Sequence, residues 1–237
     1  MSIYAISDLH LSFSEKVGKP MDIFGDEWLG HTETLKSNWE KMVSDDDTVI
    51  IAGDISWALK FEDAIPDLEW ISALPGGKIF IRGNHDLWWG SVKKLNDTFG
   101  RGMRFIQNDF HEAEGYAVCG SRGWLCPGDE DYTEQDEKIY KRELLRLRLS
   151  LTAAREAGFS EIIGATHFPP ASERFQESGF TDIFQEFGAR CVVYGHLHGS
   201  EGFRRGVKGS VKGVEYRLTS LDYLRCKPYK LEVIQLK

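Results

Sequence analysis

Short, almost wholly apolar segments recur along the 237-residue chain. They are rich in β-branched residues, which is typical of strands buried on both faces. The six segments are IYAIS (3–7), TVIIAG (48–53), KIFIRG (78–83), YAVCGS (116–121), EIIGAT (161–166) and CVVYG (191–195). The pattern therefore predicts six buried strands.

Segments with apolar residues at helical spacing lie between these strands. They predict four helices, over 32–44, 61–74, 91–100 and 134–157. Gly100 and Gly158 stand where the last two would end. The alternation of strand and helix favours an α/β fold with helices on both faces of the sheet.

The C-terminal part has a different pattern. From Gly202 to Lys237, glycines interrupt segments of alternating polar and apolar residues, notably over 204–221 and 230–236. These segments are expected to form antiparallel strands that close the sheet. No internal repeat or linker divides the sequence, so a single domain over residues 1–237 is expected.

Composition limits the possible functions. With 29 Lys+Arg against 37 Asp+Glu, the net charge is −8, and a surface this acidic repels nucleic acid. A small phosphorylated substrate held by a local positive site remains compatible with it. No apolar run approaches the ~20 residues of a membrane span, so no membrane partner is expected. Four scattered cysteines suit reduced thiols in the cytoplasm: Cys119, Cys126, Cys191 and Cys226.

Polar residues that bind metals follow five of the predicted strands. They are Asp8, His10, Asp54, Asn84, His167, His196 and His198. Ligand sites in open α/β sheets lie at the carboxyl ends of the strands, where these side chains would converge. Seven donors exceed the needs of one tetrahedral ion and suit two ions that share a carboxylate. Oxygen and nitrogen donors without thiolate favour Mn, Fe, Zn or Co.

The motifs that carry these residues occur in a fixed order: SDLH, AGDI, RGNHD, THFPP and YGHLH. Together they resemble the calcineurin-like metallophosphoesterases, and the resemblance spans residues 8 to 198. It implies a sandwich of two mixed β-sheets flanked by helices. It also implies hydrolysis of a phosphoester with two metal ions, for which Mn, Fe or Zn is expected.

The resemblance also implies roles for individual residues. One ion would bind the first set (Asp8, His10, Asp54 and His198), and the other would bind the second set (Asp54, Asn84, His167 and His196). A hydroxide between the ions would attack phosphorus in line. Asp54 would bridge the ions, His85 would act as the general acid, and Asn84 would also contact substrate. Apart from the resemblance, the forked guanidinium of Arg122 suggests a contact with phosphate, and a surface or structural role is the alternative.

Several alternatives stay open from sequence. The substrate would be a small phosphomonoester, a phosphodiester or a nucleotide. A nuclease or protein phosphatase of the same family is disfavoured by the net charge and by Trp57. That residue stands where protein Ser/Thr phosphatases carry the second Asp of G-D-x-x-D, so no carboxylate that orients His85 is identified. A non-catalytic metal-binding scaffold is the remaining alternative.

Residues 13–31 and 124–138 are the segments expected to select the substrate, and the former is expected to cover the site. Nothing in the sequence indicates an oligomeric state.

Overall fold

Two facing β-sheets form the centre of the protein in the computed structural model, which describes residues 1–100 and 102–232. The strands are β1 Ile3–Ile6, β2 Thr48–Ala52, β3 Gly77–Ile81, β4 Met103–Phe105, β5 Phe110–Ala113, β6 Tyr116–Ser121, β7 Ile162–Thr166, β8 Cys191–Tyr194, β9 Gly209–Val211, β10 Val214–Leu218 and β11 Tyr229–Lys230. The helices are α1 His31–Met42, α2 Phe61–Ser72, α3 Val92–Phe99, α4 Glu134–Glu156, α5 Gly179–Glu186 and α6 Gly199–Arg205. Two 3₁₀ helices, Met21–Phe24 and Asp26–Trp28, precede α1. None of the helices in the described ranges has the length and apolar character that crossing a membrane requires.

The first sheet has the strand order β11-β1-β2-β3-β4, in which β1 to β4 run parallel and β11 is antiparallel. Ile6 at the end of β1 lies opposite Ile51 of β2, and Ala52 lies opposite Ile81 of β3. The loops that follow β1, β2 and β3 therefore leave the sheet side by side.

The second sheet has the order β5-β6-β7-β8-β10-β9. Its four central strands are parallel, and the edge strands β5 and β9 are antiparallel to their neighbours. The carboxyl ends of β6, β7, β8 and β10 consequently share one edge.

The two sheets pack against each other, and helices cover their outer faces. Successive residues of a strand point to opposite faces of a sheet. Ile3 accordingly lies in an apolar cluster with Ile163 of the second sheet, while the next residue, Tyr4, lies in a cluster with Trp39 of α1 and Leu68 of α2. A third cluster joins α4 and α5 to the outer face of the second sheet. Both faces of the central strands are buried, which explains their nearly continuous apolar sequence.

The six predicted strands and four predicted helices are confirmed, with bounds that differ by at most two residues. The sandwich implied by the family resemblance is also confirmed. The expectation of helices on both faces of one sheet is wrong, because the second face of each sheet packs against the other sheet.

The expected antiparallel pairing of the C-terminal part is wrong for its main strand. β10 runs parallel to β8, and only β9 and β11 pair in antiparallel fashion. A parallel β10 directs the residues that follow it, Thr219 to Asp222, to the same edge as the end of β8. Of the strand predicted over 230–236, residues 233–236 lie outside the described part of the chain.

Candidate metal centre

The structure brings the seven predicted metal ligands together at the carboxyl edge of the strands. Asp8 and His10 follow β1, Asp54 follows β2, Asn84 follows β3, His167 follows β7, and His196 and His198 follow β8. Strands of both sheets thus contribute to one cluster, as expected when parallel strands end at the same edge.

The first part of the cluster is built by Asp8, His10 and His198, whose donor atoms lie within 4.8 Å of one another. His198 Nε2 is 3.4 Å from Asp8 Oδ1 and 3.4 Å from His10 Nε2. Asp54 Oδ2 lies 3.9 Å from His10 Nε2. These four residues are the set that the family resemblance assigns to the first ion.

The second part is centred on Asn84. Its Oδ1 lies 2.7 Å from His167 Nε2 and 3.1 Å from His196 Nδ1, and His167 Nε2 is 3.4 Å from Asp54 Oδ2. Asp54 therefore lies between the two parts, in the position expected of a bridging ligand.

One detail of the geometry differs from the expected division of ligands. Asp8, Asp54 and His167 also form a compact triad, with His167 Nδ1 4.0 Å from Asp8 Oδ1. However, this Nδ1–H donates to the carbonyl of Ala52 at 3.0 Å. The nitrogen left to bind a metal is therefore Nε2, which faces Asp54 and Asn84 as the resemblance implies.

Four of these residues adopt a backbone conformation that is uncommon outside glycine. The φ angles are 59° for Asp8, 47° for His10, 52° for Asp54 and 72° for His196. Such conformations cost free energy and concentrate at functional sites. Backbone bonds hold the turns: Asp8 N–H donates to Gly53 at 2.9 Å, and His10 N–H donates to Asp54 at 3.0 Å. The positive φ angles direct these side chains into the cluster.

Two glycines allow neighbouring loops to pack directly against the carboxylates of the cluster. A Cβ at Gly83 would lie 2.1 Å from both the backbone N and Oδ1 of Asp54, and one at Gly195 would lie 2.3 Å from Asp8 Oδ2. Any side chain at either position would displace a carboxylate of the cluster.

The charge balance of the cluster calls for cations. Asp8 and Asp54 are buried, and none of the described lysines or arginines lies within 4.0 Å of either carboxylate. Burial opposes their ionisation, but His198 beside Asp8 and His167 beside Asp54 outweigh it. The pKa of Asp8 is held well below its usual range, and the pKa of Asp54 is lowered to about 2.

The same attraction acts on the histidines. Burial would lower the pKa of His167 and His198, but the carboxylates raise the pKa to about 9 and about 10, respectively. Protons on imidazoles thus supply the positive charge that these buried carboxylates require. Metal ions would supply it more directly, since metals compete with protons for the same donor atoms.

His10 and His196 are already in the form that binds metals. Burial, the dominant cause, lowers their pKa to about 4 and about 3, so both are neutral. His10 Nδ1 is buried and has no hydrogen-bond partner among the described residues. Buried carboxylates together with neutral imidazoles and one amide form a donor set that fits two cations.

One carboxylate of the site, Asp222, was not predicted from the sequence. The Nδ1–H of His198 donates to Asp222 Oδ1 at 3.0 Å, and Gly199 N–H donates to its Oδ2 at 3.0 Å. Such a partner fixes the ring so that Nε2 faces the metal site. Asp222 follows β10 as the predicted ligands follow their strands, so a parallel assignment of β10 would have identified it.

A cavity of about 410 Å³ opens over the cluster. Four residues of the cluster line it: His10, Asp54, His196 and His198. The two 3₁₀ helices add three apolar side chains and one carboxylate (Met21, Phe24, Trp28 and Glu27), so the segment 13–31 contributes to the lining. The ring of His31 holds this segment, with its two nitrogens each 3.2 Å from the carbonyl oxygens of Trp28 and Leu9.

His85 projects into this cavity with 44% of its side chain exposed. Its Nε2 lies 4.0 Å from Asp54 Oδ2, and no other described carboxylate lies within 4.0 Å of the ring. Instead the ring packs on Trp57, with centroids 4.3 Å apart, and Trp57 stacks on His10 at 4.6 Å. Packing against an indole therefore orients His85. Burial lowers the pKa of His85, and the charge of Asp54 opposes that shift.

Arg122 does not line the cavity, although its backbone carbonyl accepts a hydrogen bond from His167 N–H at 3.0 Å. Its guanidinium packs over Trp124 at 4.4 Å and lies 3.6 Å from Glu143, in a small separate recess with Arg82 and Arg146. Glu143 is fully buried, so these contacts give Arg122 a structural partner. A contact between Arg122 and the substrate phosphate stays a prediction.

Asp86, which follows His85, stabilises the loops that carry the site. The carboxylate is fully buried and accepts four hydrogen bonds. Gly83 N–H donates to Oδ2 at 2.7 Å, whereas Ile55 N–H, Ser56 N–H and Trp88 Nε1–H donate to Oδ1 at 2.9, 3.2 and 3.1 Å. Asp86 thereby ties the loop after β2 to the loop after β3.

We expect Asp86→Ala to destabilise the protein strongly, because it leaves three buried backbone N–H groups and an indole N–H without an acceptor. At 1–3 kcal/mol for an unsatisfied buried group, the free energy of unfolding should fall by about 4 kcal/mol. In a protein of this size that lowers Tm by about 10 °C. Thermal and urea unfolding measure the change. Asp97→Ala, at an exposed position of α3, is the matched control. An Asp86→Ala protein as stable as this control would contradict the structural role.

Comparison with known proteins agrees with this geometry. The family profile described as calcineurin-like phosphoesterase matches residues 1–200. The Gene 66 protein of Mycobacterium phage L5 is 26% identical over 194 residues, which cover 81% of this chain and 75% of the phage protein.

Solved structures share the fold. The phosphopantetheinyl hydrolase PptH of Mycobacterium tuberculosis has a TM-score of 0.60 and 18% identity, covering 98% of this chain and 95% of its own. TT1561 of Thermus thermophilus has a TM-score of 0.58 and 14% identity, covering 98% of both chains. At these identities the likeness concerns the fold alone.

Proposed function

This chain belongs to the calcineurin-like phosphoesterase family, and on that premise we propose that it hydrolyses a small phosphorylated substrate at the cluster described above. Members of this family are metal-dependent phosphoester hydrolases, and the enzyme class follows from membership. The observation that carries the proposal is the convergence of seven donor residues, two of which are buried carboxylates that lack a Lys or Arg counter-charge among the described residues.

Two metal ions fit this donor set. Asp8, His10, Asp54 and His198 would hold one ion, and Asn84, His167 and His196 would hold the other together with Asp54. Bound there, two ions would clamp the phosphate oxygens and lower the pKa of a water molecule towards neutrality. The residues of the chain fix where the phosphate can lie, since β-strands of both sheets hold the donors rigidly.

The surroundings of His85 support the role of proton donor to the leaving oxygen. Its backbone N–H donates to Asp54 Oδ1 at 2.9 Å, which fixes the start of the side chain, and Trp57 fixes the ring. The exposed imidazole edge reaches the cavity beside the cluster without being needed as a ligand. A histidine that gives a proton to the departing oxygen is the usual means of general acid catalysis near neutral pH.

The structure favours a small substrate over a phosphoprotein or nucleic acid. Trp57 fills the position of the second Asp of the protein phosphatase motif, stacks on His10 and packs against His85. The cavity of about 410 Å³ that Met21, Phe24 and Trp28 help to line suits a small molecule, and the net charge of −8 disfavours a polynucleotide.

The test is hydrolysis by protein stripped of metal and reloaded with Mn, Fe, Zn, Co, Ni or Mg singly. Substrates are p-nitrophenyl phosphate, its bis-ester, and a set of natural phosphomonoesters and phosphodiesters. A phosphopantetheine ester belongs in this set, because one structural neighbour is a phosphopantetheinyl hydrolase. We expect metal-dependent turnover, and the preferred ester separates a phosphatase from a phosphodiesterase. Protein that holds two ions per chain and cleaves none of these esters would instead be a non-catalytic scaffold.

A further inference from the structure

A second cavity, of about 340 Å³, adjoins the first one at His85. His85 and Trp57 line both cavities, but none of the seven predicted metal ligands lines the second. The second cavity therefore adjoins the proposed proton donor but does not include the metal ligands.

The lining of the second cavity is basic in an otherwise acidic protein. Three lysines, Lys16, Lys19 and Lys60, face it together with one carboxylate, Asp63. Lys16 Nζ lies 3.7 Å from Asp63 Oδ1, so this pair is close to neutral. Neither Lys19 nor Lys60 has a carboxylate within 4.0 Å in the described residues. Two ammonium groups therefore remain to attract an anion.

Lys19 is held close to the reacting position. Its Nζ lies 3.5 Å from the centroid of the Trp57 ring, a cation–π contact, and the same ring packs on His85. An anion bound by Lys19 would consequently lie beside the indole that also packs on His85.

The position of the leaving group relates the two cavities to each other. Given the proposed function, the leaving oxygen lies beside His85, and the remainder of the leaving group extends away from the metal centre. We propose that the leaving group enters the second cavity and carries a phosphate of its own, which Lys19 and Lys60 bind. Lysine ammonium groups bind phosphate as compact point charges, and the volume suits a small molecule. The preferred substrate class is therefore a compound with two phosphate groups.

The step balances as an ordinary hydrolysis. The bond between phosphorus and the leaving oxygen breaks, the oxygen of water joins the phosphorus, and the leaving oxygen takes a proton. The products are inorganic phosphate and an alcohol that retains the second phosphate.

Three aryl esters test the assignment: phenyl phosphate, 4-carboxyphenyl phosphate and 1,4-phenylene bisphosphate. We expect wild-type kcat/KM for the bisphosphate to exceed that for phenyl phosphate by about tenfold. The reason is the attraction of the second phosphate to the two ammonium groups, which solvent partly screens. In the double variant Lys19→Ala/Lys60→Ala this ratio should fall to about two, the factor that two equivalent ester groups give. Lys19→Arg/Lys60→Arg should largely retain it. Lys41→Ala, at an exposed position of α1, is the matched control and should keep the wild-type ratio.

The outcomes separate this inference from the proposed function. Hydrolysis of phenyl phosphate with an equal ratio in wild type and double variant would overturn the second site alone. A preference for the carboxyphenyl ester over the bisphosphate would overturn its assignment to phosphate. If the wild type cleaves neither these three esters nor any ester of the wider set given above, the proposed function fails. Calorimetric titration of metal-free protein with the bisphosphate then tests the second site independently. Binding lost in the double variant supports the site, and equal binding overturns it.

Discussion

Replacing Asp54 with asparagine is expected to lower kcat/KM by about a thousandfold or more, since metal ions contribute several kcal/mol to such reactions. Asp54 Oδ2 lies 3.4 Å from His167, 3.9 Å from His10 and 4.0 Å from His85, so one oxygen faces both parts of the cluster. Asparagine keeps the shape but removes the charge. Bound metal, measured by elemental analysis, should fall from two ions per chain to one or fewer.

The control for Asp54→Asn is Asp46→Asn, which makes the same chemical change at an exposed turn before β2. It should retain wild-type activity and metal content. Thermal unfolding shows whether the Asp54 variant remains folded. An Asp54→Asn protein with normal metal content and normal rates would show that the bridging role is wrong.

Replacing His85 with alanine is expected to lower kcat by about 10²–10⁴ while leaving the metal content intact. The loss should depend on the leaving group. An alkyl phosphate departs as a strong base and needs the proton, whereas p-nitrophenolate departs readily without one. The measured quantity is the rate ratio of p-nitrophenyl to alkyl phosphate, which should rise sharply in the variant.

His111→Ala provides the matched control, because His111 lies on β5 of the second sheet and does not line either cavity. It should change neither the rates nor their ratio. Equal losses on both esters in His85→Ala, or a loss of metal, would mean that His85 acts by supporting the cluster and not as a proton donor.

Much of the site could be predicted because its residues obey a local rule. Asp8, Asp54 and Asn84 each follow an apolar strand within a few residues, and the strands are recognisable because burial on both faces makes them almost wholly apolar. Parallel pairing then places their ends at one edge. Nothing beyond the order of strands and polar residues was needed to expect the cluster.

The remainder depends on long-range packing that sequence does not display. Pairing of β10 with β8 is parallel because the chain crosses over between them, and this pairing places Asp222 beside His198. The short strands β4 and β5 carry little apolar pattern of their own and are defined by their neighbours in each sheet. The packing of His85 against Trp57 likewise joins the loop after β3 to the loop after β2.

The most direct test of the central claim is a titration of metal-free protein with Mn²⁺ while ester hydrolysis is followed. The account predicts negligible turnover without metal, a rise with added metal, and a break at two equivalents per chain. The Asp54→Asn protein should show no comparable rise at any loading. Full activity at one equivalent, or turnover by rigorously metal-free protein, would contradict the dinuclear mechanism.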